Sequence, residues 1–275
     1  MSKGASVSKA CYQFKRSRQS YYKFLRRKEK LTMDHQKLQD LVRPLRQLMP
    51  RIGGRKLYFM LQDRIASGRV KIGRDRFFDW LCANDLLVYP KRSYVHTTNS
   101  SHRFWVYDNL CGELIVDQPN RLWVSDITYL KTREGFCYLA LITDAFSRKI
   151  VGYDVSDSLE LTGCLRALKL ALRGAKDTSH LTHHSDRGFQ YCSNPYTQIL
   201  NQRGIRISMA AKGNCYENAM AERVNGILKD EFNLDELFNT KQQAIKAVHQ
   251  SIYIYNQHRP HWALDLKTPQ YCHAA

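Results

Sequence analysis

Three acidic residues in the second half of the chain have types and positions that could support catalysis. Asp126 interrupts the apolar run LWVSDITYL, Asp186 follows the run HHS, and Glu222 lies in the helix-forming stretch ENAMAERVNGILKDE. Converging carboxylates repel one another unless cations lie between them, and Mg²⁺ prefers oxygen ligands of this kind. Two such ions, about 4 Å apart, can activate an attacking hydroxyl and stabilise the leaving oxygen of a phosphodiester. These residues therefore predict metal-dependent phosphoryl transfer.

Each acid taken alone also has an ordinary structural explanation. Asp126 could pair with a nearby lysine or arginine, Asp186 could belong to a turn, and Glu222 could be an exposed helix acid. A carboxylate in the middle of an apolar strand is costly unless it is paired or bound to a metal. The spacing of the three acids also favours a catalytic role. There are 59 residues between the two aspartates and 35 between Asp186 and Glu222.

The segments around these acids predict an α/β domain over residues 119–275. Five strand-like runs occur, RLWVSDITYL, FCYLALITDAFS, KIVGYDVS, LTHHSD and IRISMA. Helices are predicted near residues 159–173, 194–203, 217–234 and 240–256. Three antiparallel strands followed by alternating helix and strand fit a five-stranded mixed sheet flanked by helices. If the first and fourth strands are neighbours, Asp126 lies beside Asp186, and the 217–234 helix can direct Glu222 to the same point.

The first hundred residues are strongly basic. They hold 23 Lys+Arg and 7 Asp+Glu, a net charge of +16, whereas residues 101–275 hold 20 and 18, a net charge of +2. This asymmetry indicates a nucleic-acid-binding region attached to a different module. A solvated basic face without a specific partner is the alternative.

Two helix-turn-helix-like units are predicted in this basic region, at residues 1–50 and 51–95. In the first, Ser17 could cap a second helix that presents Arg18 and Gln19, and residues 31–50 form a polar helix or connector. In the second, Arg74 and Arg76 lie on the surface of its second helix. Residues 96–118 are rich in Ser, Thr and Asn and read as a linker. A basic helical hairpin with no role in DNA recognition is the alternative for the first unit.

Several further residues are candidates around the three acids. Lys212 lies in a glycine-containing loop before the predicted 217–234 helix. Asn218, one turn before Glu222, could orient the Glu222 carboxylate, and Arg223 could contact phosphate. His183 and His184 are interpreted as structural or DNA-contacting, since imidazole suits Mg²⁺ poorly. The segment His258–His261 is interpreted first as a packed turn. Trp123, Tyr129 and Phe136 are assigned to the core rather than to base stacking.

Composition excludes several classes of protein. The eight cysteines form no CxxC pair, so a disulfide framework or a cysteine-rich zinc site is not expected. No apolar run reaches the roughly 18 residues of a membrane span. A cytoplasmic, nucleoid-associated protein without membrane contact is expected.

Five segments carry a specific family resemblance. They are LWVSDITYL, FCYLALITDAFSRKIVGY, HHSDRGFQY, KGNCYENAMAERVNGILKDE and YNQHRPHWALDLKTPQ. In these segments, which span about residues 105–272, the chain resembles the second-reading-frame transposases of the insertion-sequence-3 family, within the retroviral-integrase-like superfamily. The N-terminal part matches the helix-turn-helix regions of that family more loosely.

The resemblance implies an RNase H-like catalytic domain preceded by an all-α helix-turn-helix region. It implies metal-dependent cleavage and transfer of DNA strands, with Asp126, Asp186 and Glu222 holding two Mg²⁺ ions and Mn²⁺ as a substitute. It also points to Lys229 as a DNA contact. Helical geometry supports this separately, because seven residues are close to two turns and place Lys229 on the face of Glu222.

The resemblance also implies partners. The substrates would be terminal inverted repeats and target DNA, and a homo-oligomer is expected because transposition joins two ends. In the family an upstream frame often supplies a further helix-turn-helix and a coiled coil by fusion. The product of such a frame is therefore a possible fusion or partner here.

Two other functions compete with transposition at this stage. One is a DNA-binding regulator that no longer catalyses and works through its basic N-terminal region. The other is an RNase H-type nuclease acting on RNA–DNA hybrids, against which the basic region and the integrase-like segments count.

Overall fold

The computed structural model describes residues 6–68, 70–89, 104–175, 177–210 and 219–275. Contacts between residues divide the chain into two compact units, Met1–Val88 and Tyr89–Ala275. Within the described ranges, no helix joins the length and the apolar character that crossing a bilayer requires.

The first unit is helical where it is described. Its helices are α1 Val7–Gln13, α2 Arg18–Leu48, α3 Gly54–Ser67 and α4 Arg74–Ala83. Serine side chains cap the first two, since Ser6 accepts a hydrogen bond from Lys9 N and Ser17 accepts one from Ser20 N. These caps satisfy backbone donors that the first helical turn leaves without partners. A small core is formed by buried side chains of α2, α3 and α4, namely Leu38, Val42, Leu57, Leu61, Ile65, Phe77 and Leu81.

Helix α2 differs from the sequence-based expectation. We predicted two short helices within residues 6–30 and then a polar helix or connector over residues 31–50, with Pro44 and Pro50 as punctuation. The helical alternative for residues 31–50 holds as far as Leu48, but the separation from the preceding helix and the interruption at Pro44 were wrong. Helix α2 is continuous for 31 residues and contains Pro44. No glycine or proline occurs between Arg18 and Arg43, and lysine, arginine, glutamine and leucine in that stretch favour a helix. The helix ends at Leu48, before Pro50.

A five-stranded mixed sheet forms the centre of the second unit. The strands are β1 Leu122–Thr132, β2 Gly135–Asp144, β3 Ile150–Ser156, β4 Thr182–Ser185 and β5 Arg206–Met209. Their order in the sheet is β3-β2-β1-β4-β5. Pairing is antiparallel from β3 to β1 and parallel from β1 to β5. The predicted α/β fold class, with a five-stranded mixed sheet and a helical region before it, is confirmed.

Helices cover both faces of this sheet. They are α5 Leu161–Gly174, α6 Phe189–Cys192, α7 Asn194–Gln202, α8 Ala219–Glu231, α9 Lys241–His258 and α10 Pro269–Ala274. Trp123 packs with residues of α5 and α7, whereas its neighbour Val124 packs with Ala221 of α8. Successive strand residues point to opposite faces, so α5 and α8 lie on opposite sides of β1. Gly152 of β3 allows α5 to approach closely, because a Cβ there would collide with the Ala167 carbonyl oxygen.

The segment before β1 packs against this unit. Val106 and Tyr107 contact the cluster around α5, and Leu114 and Val116 contact the cluster around Val124. We had assigned residues 96–118 to a linker. Their described part, from residue 104 onward, instead contributes apolar side chains to the core of the second unit.

Candidate active site

The two aspartates lie on adjacent parallel strands, Asp126 in the middle of β1 and Asp186 directly after the end of β4. Strands β1 and β4 are paired from Leu122↔Thr182 to Ser125↔Ser185, and Asp126 and Asp186 are the next residues in each chain segment. Neighbouring strands lie about 4.8 Å apart, which brings the two carboxylates within reach of a common ion. The predicted neighbourhood of the first and fourth strands is thus confirmed.

Asp126 is held by two hydrogen bonds in a partly buried position. Its Oδ1 accepts from Ile127 N at 2.9 Å, and its Oδ2 accepts from the side-chain amide of Asn225 at 2.7 Å. Burial first and the charge of Asp186 second raise the pKa of Asp126 to about 7, against the lowering effect of these two bonds. Glu222 also raises this pKa, so the third acid lies within electrostatic range of Asp126. A cation bound beside Asp126 would therefore displace the proton from this carboxyl group.

The turn that follows β4 positions the side chain of Asp186. Gly188 N donates to Asp186 Oδ1 at 3.0 Å, and the neighbouring Arg187 Nε donates to the Ala210 carbonyl at 2.7 Å. A Cβ on Gly188 would lie 3.0 Å from the same Asp186 oxygen, tighter than ordinary packing. Glycine at this position leaves the carboxylate room to turn toward Asp126.

Glu222 is exposed in the first turn of α8, and Arg223 beside it is exposed as well. Among the described residues, no group of three His, Cys, Asp or Glu side chains is close enough to hold one metal ion. The structure therefore brings Asp126 and Asp186 together and leaves Glu222 at the rim. Lys212 and Asn218, two further candidates, fall outside the described residues.

Lys229 lies on a face of α8 that is near Tyr129 and Asp126 of β1. Its Nζ is 4.6 Å from the centroid of the Tyr129 ring, a cation–π contact. Burial lowers the pKa of Lys229, and the negative charge of Asp126 partly opposes this. The ammonium group is thus held near the acids rather than free in solvent.

A layer of buried polar side chains supports the strand ends. His183 Nε2 is 2.7 Å from Ser125 Oγ and 2.9 Å from the Tyr196 hydroxyl. Burial lowers the pKa of His183 to about 3, so its ring is neutral. His184 Nδ1 is 2.9 Å from Ser208 Oγ. Both rings are buried, which confirms the structural interpretation of this pair.

A cavity of about 370 Å³ adjoins the aspartates. Its lining includes Asp126, Asp186, Tyr129, Phe136 and Tyr138. We had assigned Phe136 to the core, and this was wrong, because 52% of its surface is exposed. Trp123 is fully buried, as expected.

One residue that matters for this site, Asn225, was missed from the sequence. Asn225, three residues after Glu222, occupies the helical face that meets Asp126. Arg259 is 1% exposed and binds Glu231 at the end of α8 through two hydrogen bonds of 2.7 Å. His261 accepts from Arg259 at 2.8 Å. The tail segment was interpreted as a packed turn, and this pairing confirms it, but its partner on α8 was not foreseen.

The DNA-contact candidates of the first unit are on its surface. Arg18 and Gln19 are exposed in the first turn of α2, and Arg76 is exposed on α4. Arg74 is also exposed and forms an ion pair with Asp75 at 2.9 Å. All four side chains are accessible to a ligand, and nothing in the first unit alone assigns one.

The donor set at the site suits a hard divalent cation. Asp126 and Asp186 follow paired positions of β1 and β4, and the pKa of Asp126 is raised by burial first and by the charge of Asp186 second. A cation would relieve the repulsion between the two charges. Mg²⁺ is commonly bound through one or two carboxylates together with water and substrate phosphate. Asp126 and Asp186 therefore fit such an ion. Glu222 is exposed in the first turn of α8, at the edge of this site.

Comparison with known proteins identifies the family. Two models described as "Integrase core domain" match residues 116–215 and 203–269. The 31 kDa protein of insertion element IS600 from Shigella sonnei is 40% identical over 213 residues, which cover 76% of this chain and 78% of that protein. A transposase-like protein of Haemophilus influenzae is 39% identical, covering 73% of this chain and 90% of that protein.

Other relatives match over shorter lengths. The IS629 transposase of Shigella sonnei is 44% identical over 135 residues, which are 49% of this chain and 45% of that protein. Among solved structures, the HTLV-2 integrase catalytic core domain in complex with magnesium is 20% identical, with a TM-score of 0.45, over 57% of this chain and 98% of that one. We draw nothing further from that structural likeness. The sequence matches suffice: the chain belongs to the transposases of insertion sequences that are built on an integrase core domain.

Proposed function

We propose that Asp126, Asp186 and Glu222 are the catalytic acids of this transposase, which cleaves DNA at the ends of its element and joins them to a target. The observation that supports this most directly is that Asp126 and Asp186 each follow the last paired residues of β1 and β4, Ser125 and Ser185, with the pKa of Asp126 raised to about 7. A buried carboxylate pair of this kind is unfavourable in the absence of a cation and suited to binding one.

The metal would be Mg²⁺, as two ions, with Mn²⁺ as a substitute. When bound, the ions would neutralise the scissile phosphate, lower the pKa of the attacking hydroxyl and stabilise the leaving oxygen. Asp126 and Asp186 would hold them from the sheet, and Glu222 would complete the set from the first turn of α8. Because a positioned hydroxyl attacks phosphorus directly, no covalent intermediate with the protein is needed.

The remaining residues near the acids would orient the reacting groups. Asn225 and the backbone N–H of Ile127 each donate to one oxygen of Asp126 and so would hold this carboxylate in position for an ion. Lys229, held beside Asp126 by its contact with Tyr129, would donate to a phosphate oxygen of the DNA end. Arg223, exposed next to Glu222, would contact the neighbouring phosphate. Lys212 and Asn218 are proposed as further contacts in the segment before α8.

The first unit would supply sequence recognition. Its net charge and its exposed Arg18, Gln19, Arg74 and Arg76 suit binding to terminal inverted repeats. Joining two ends requires more than one active site, so a homo-oligomer on DNA is proposed. A product of an upstream frame is proposed as fusion or partner. Acting on chromosomal DNA would place the protein at the nucleoid, in the cytoplasm.

Strand joining by purified protein tests this function. The substrate is a duplex ending in the inverted repeat that flanks the gene, with the protein used alone and fused to any upstream frame. Joining should require Mg²⁺ or Mn²⁺ and should fall below detection in Asp126→Asn, Asp186→Asn and Glu222→Gln. Each variant should keep its affinity for the duplex. Joining that survives Asp126→Asn, or that never occurs in the wild type, would refute the proposal.

A further inference from the structure

An aromatic pocket lies directly beside the two aspartates. The cavity that Asp126 and Asp186 border continues between apolar and aromatic side chains, of which the most prominent are Ile127, Tyr129, Phe136, Tyr138, Leu159 and Phe189. Its volume of about 370 Å³ is within the range of small-molecule sites. Metal-dependent chemistry on a phosphate does not by itself need such an apolar surface, so the pocket calls for a separate explanation.

The pocket opens where the sheet is incomplete. Strand β1 pairs with β2 over its whole length, but it pairs with β4 only as far as Ser125↔Ser185. Between Asp126 and Leu130, no described strand pairs with the outer edge of β1. The side chains that follow Asp126 can therefore meet a ligand that extends past the end of β4.

The aromatic side chains of the pocket present both a face and an edge. The rings of Tyr129 and Phe136 meet edge to face, with centroids 5.5 Å apart and planes at 87°. Tyr138 lies opposite Tyr129 in the register of β1 and β2, so the three rings share one side of the sheet. Phe136 is 52% exposed, so its ring is accessible to a ligand in the cavity.

Positive charge borders the aromatic surface. Lys229 Nζ lies 4.6 Å from the Tyr129 ring centroid, and exposed Lys131 pairs with Phe136 across the two strands. The pocket therefore has carboxylates on one side, lysines on the other and aromatic rings between them. This arrangement matches the alternation of phosphate and base along a nucleic acid strand. Proteins that bind single strands combine basic grooves with aromatic stacking in this way.

We propose that this pocket receives an unstacked nucleobase from the DNA strand that carries the scissile phosphate. The inference rests on the proposed function, because it places that phosphate at Asp126 and Asp186. With the phosphate there, the base of an adjacent nucleotide reaches the rings of Phe136 and Tyr129 only if it leaves the helical stack. Stacking on these rings offsets part of the cost of extruding the base, and Lys131 and Lys229 bind the flanking phosphates.

A coupled change in protein and DNA tests the pocket. Strand cleavage in Mg²⁺ is measured with wild type and Phe136→Ala on element-end duplexes, either intact or with a single abasic nucleotide at each position within three of the cleavage site. Phe136→Ala should slow cleavage of the intact duplex by about tenfold. At one position, removal of the base should make the two proteins equal. Tyr253→Ala, which removes another exposed aromatic ring, should match the wild type on all duplexes.

A second measurement needs no catalysis. 2-Aminopurine at the position identified above should change its fluorescence when the protein binds without divalent cations, and Phe136→Ala should alter that change. The same probe ten nucleotides away should not respond. If Phe136→Ala slows every duplex equally, or changes only the oligomeric state, the pocket supports the fold or a second copy, and the proposal is overturned. Failure of the wild type to cleave any duplex would instead refute the proposed function itself.

Discussion

Asn225 donates a 2.7 Å hydrogen bond to Asp126 Oδ2 from the helix whose first turn carries Glu222. This bond joins Asp126 to the helix that carries Glu222, another of the three proposed catalytic acids. It also lowers the pKa of Asp126, against burial and the charge of Asp186. Asn225 is 6% exposed, so the contact is shielded from water. The position of α8 and the ionisation of Asp126 are therefore linked.

Removal of this link should impair catalysis more than DNA binding. Without the amide of Asn225, Asp126 loses a donor that favours its charged form, so its pKa rises and it binds a cation less well. We expect Asn225→Ala to lower the rate of strand joining by about 10- to 100-fold. The pH at which joining reaches half its maximum should move upward, and affinity for the DNA end should change little. Gel shift and joining assays between pH 6 and 9 measure both.

Exposed Gln250 provides the control for Asn225, because it is also an amide on a helix of the second unit. Gln250→Ala should leave the joining rate and its pH profile unchanged. If Asn225→Ala lowers the rate but leaves the profile where it was, the amide does not act through the ionisation of Asp126.

Asp126 should destabilise the metal-free protein at neutral and higher pH. Its pKa of about 7 in the folded chain exceeds the ordinary value of 3.8, so the folded state binds its proton more tightly than the unfolded state does. This contribution to stability is fully present below about pH 4 and is lost as pH rises through 7. In EDTA at pH 8, Asp126→Asn should raise the free energy of unfolding by up to about 4 kcal/mol.

Denaturant titrations of wild type and Asp126→Asn at pH 4 and pH 8 measure this difference. The gap should close at pH 4. Added Mg²⁺ should stabilise the wild type at pH 8 and have little effect on the variant, since only the wild type offers the charged ligand. Asp230→Asn, which neutralises an exposed acid of α8, should behave like the wild type. Equal stabilities of wild type and Asp126→Asn at both pH values would show that Asp126 is not destabilising.

The sequence was sufficient for the positions of the strands but not for the contacts that surround the acids. The acids of β1 and β4 could be placed side by side because strand ends and chain direction follow from short apolar runs and the turns between them. Asn225 could not be singled out, since an asparagine on a helix is common and only its contact with Asp126 distinguishes it. The exposure of Phe136 depends on which distant segments pack over the start of β2, and no local sequence pattern records that.

The long α2 helix shows a second limit of sequence reasoning. Pro44 lacks a backbone N–H and usually ends or bends a helix, so a break was expected near it. Tertiary packing outweighed this tendency. Val42 and Leu38, on the preceding turns, are buried against the first unit, and Arg46, after the proline, donates to the carbonyl oxygens of Ile52 and Leu86. Such contacts arise between segments far apart in sequence and are not visible in a local window.

The buried pair of Arg259 and Glu231 should be important for stability. Arg259 is 1% exposed and binds both carboxylate oxygens of Glu231 at 2.7 Å, which fixes the end of α8 against the tail of the chain. Removing one partner leaves a shielded charge without compensation. We expect Arg259→Ala to cost about 3–5 kcal/mol of unfolding free energy. Lys241→Ala breaks a more exposed pair with Asp157 and should cost under about 1 kcal/mol. If denaturant titrations gave equal losses of unfolding free energy for the two variants, the buried Arg259–Glu231 pair would not be the more important one for stability.

Lys229 should contribute one phosphate contact to DNA binding. Its ammonium group is held beside Tyr129 and Asp126, at the place where the proposed DNA end approaches the acids. Each neutralised phosphate releases condensed counterions, so losing one contact lowers the slope of log affinity against log salt by about 0.9. Lys229→Ala in an Asp126→Asn background should show this reduction by fluorescence anisotropy between 50 and about 200 mM salt. Lys246→Ala removes an exposed lysine from α9 and should leave the slope unchanged. Should the two variants give the same slope, Lys229 does not contact phosphate and its role is confined to the protein.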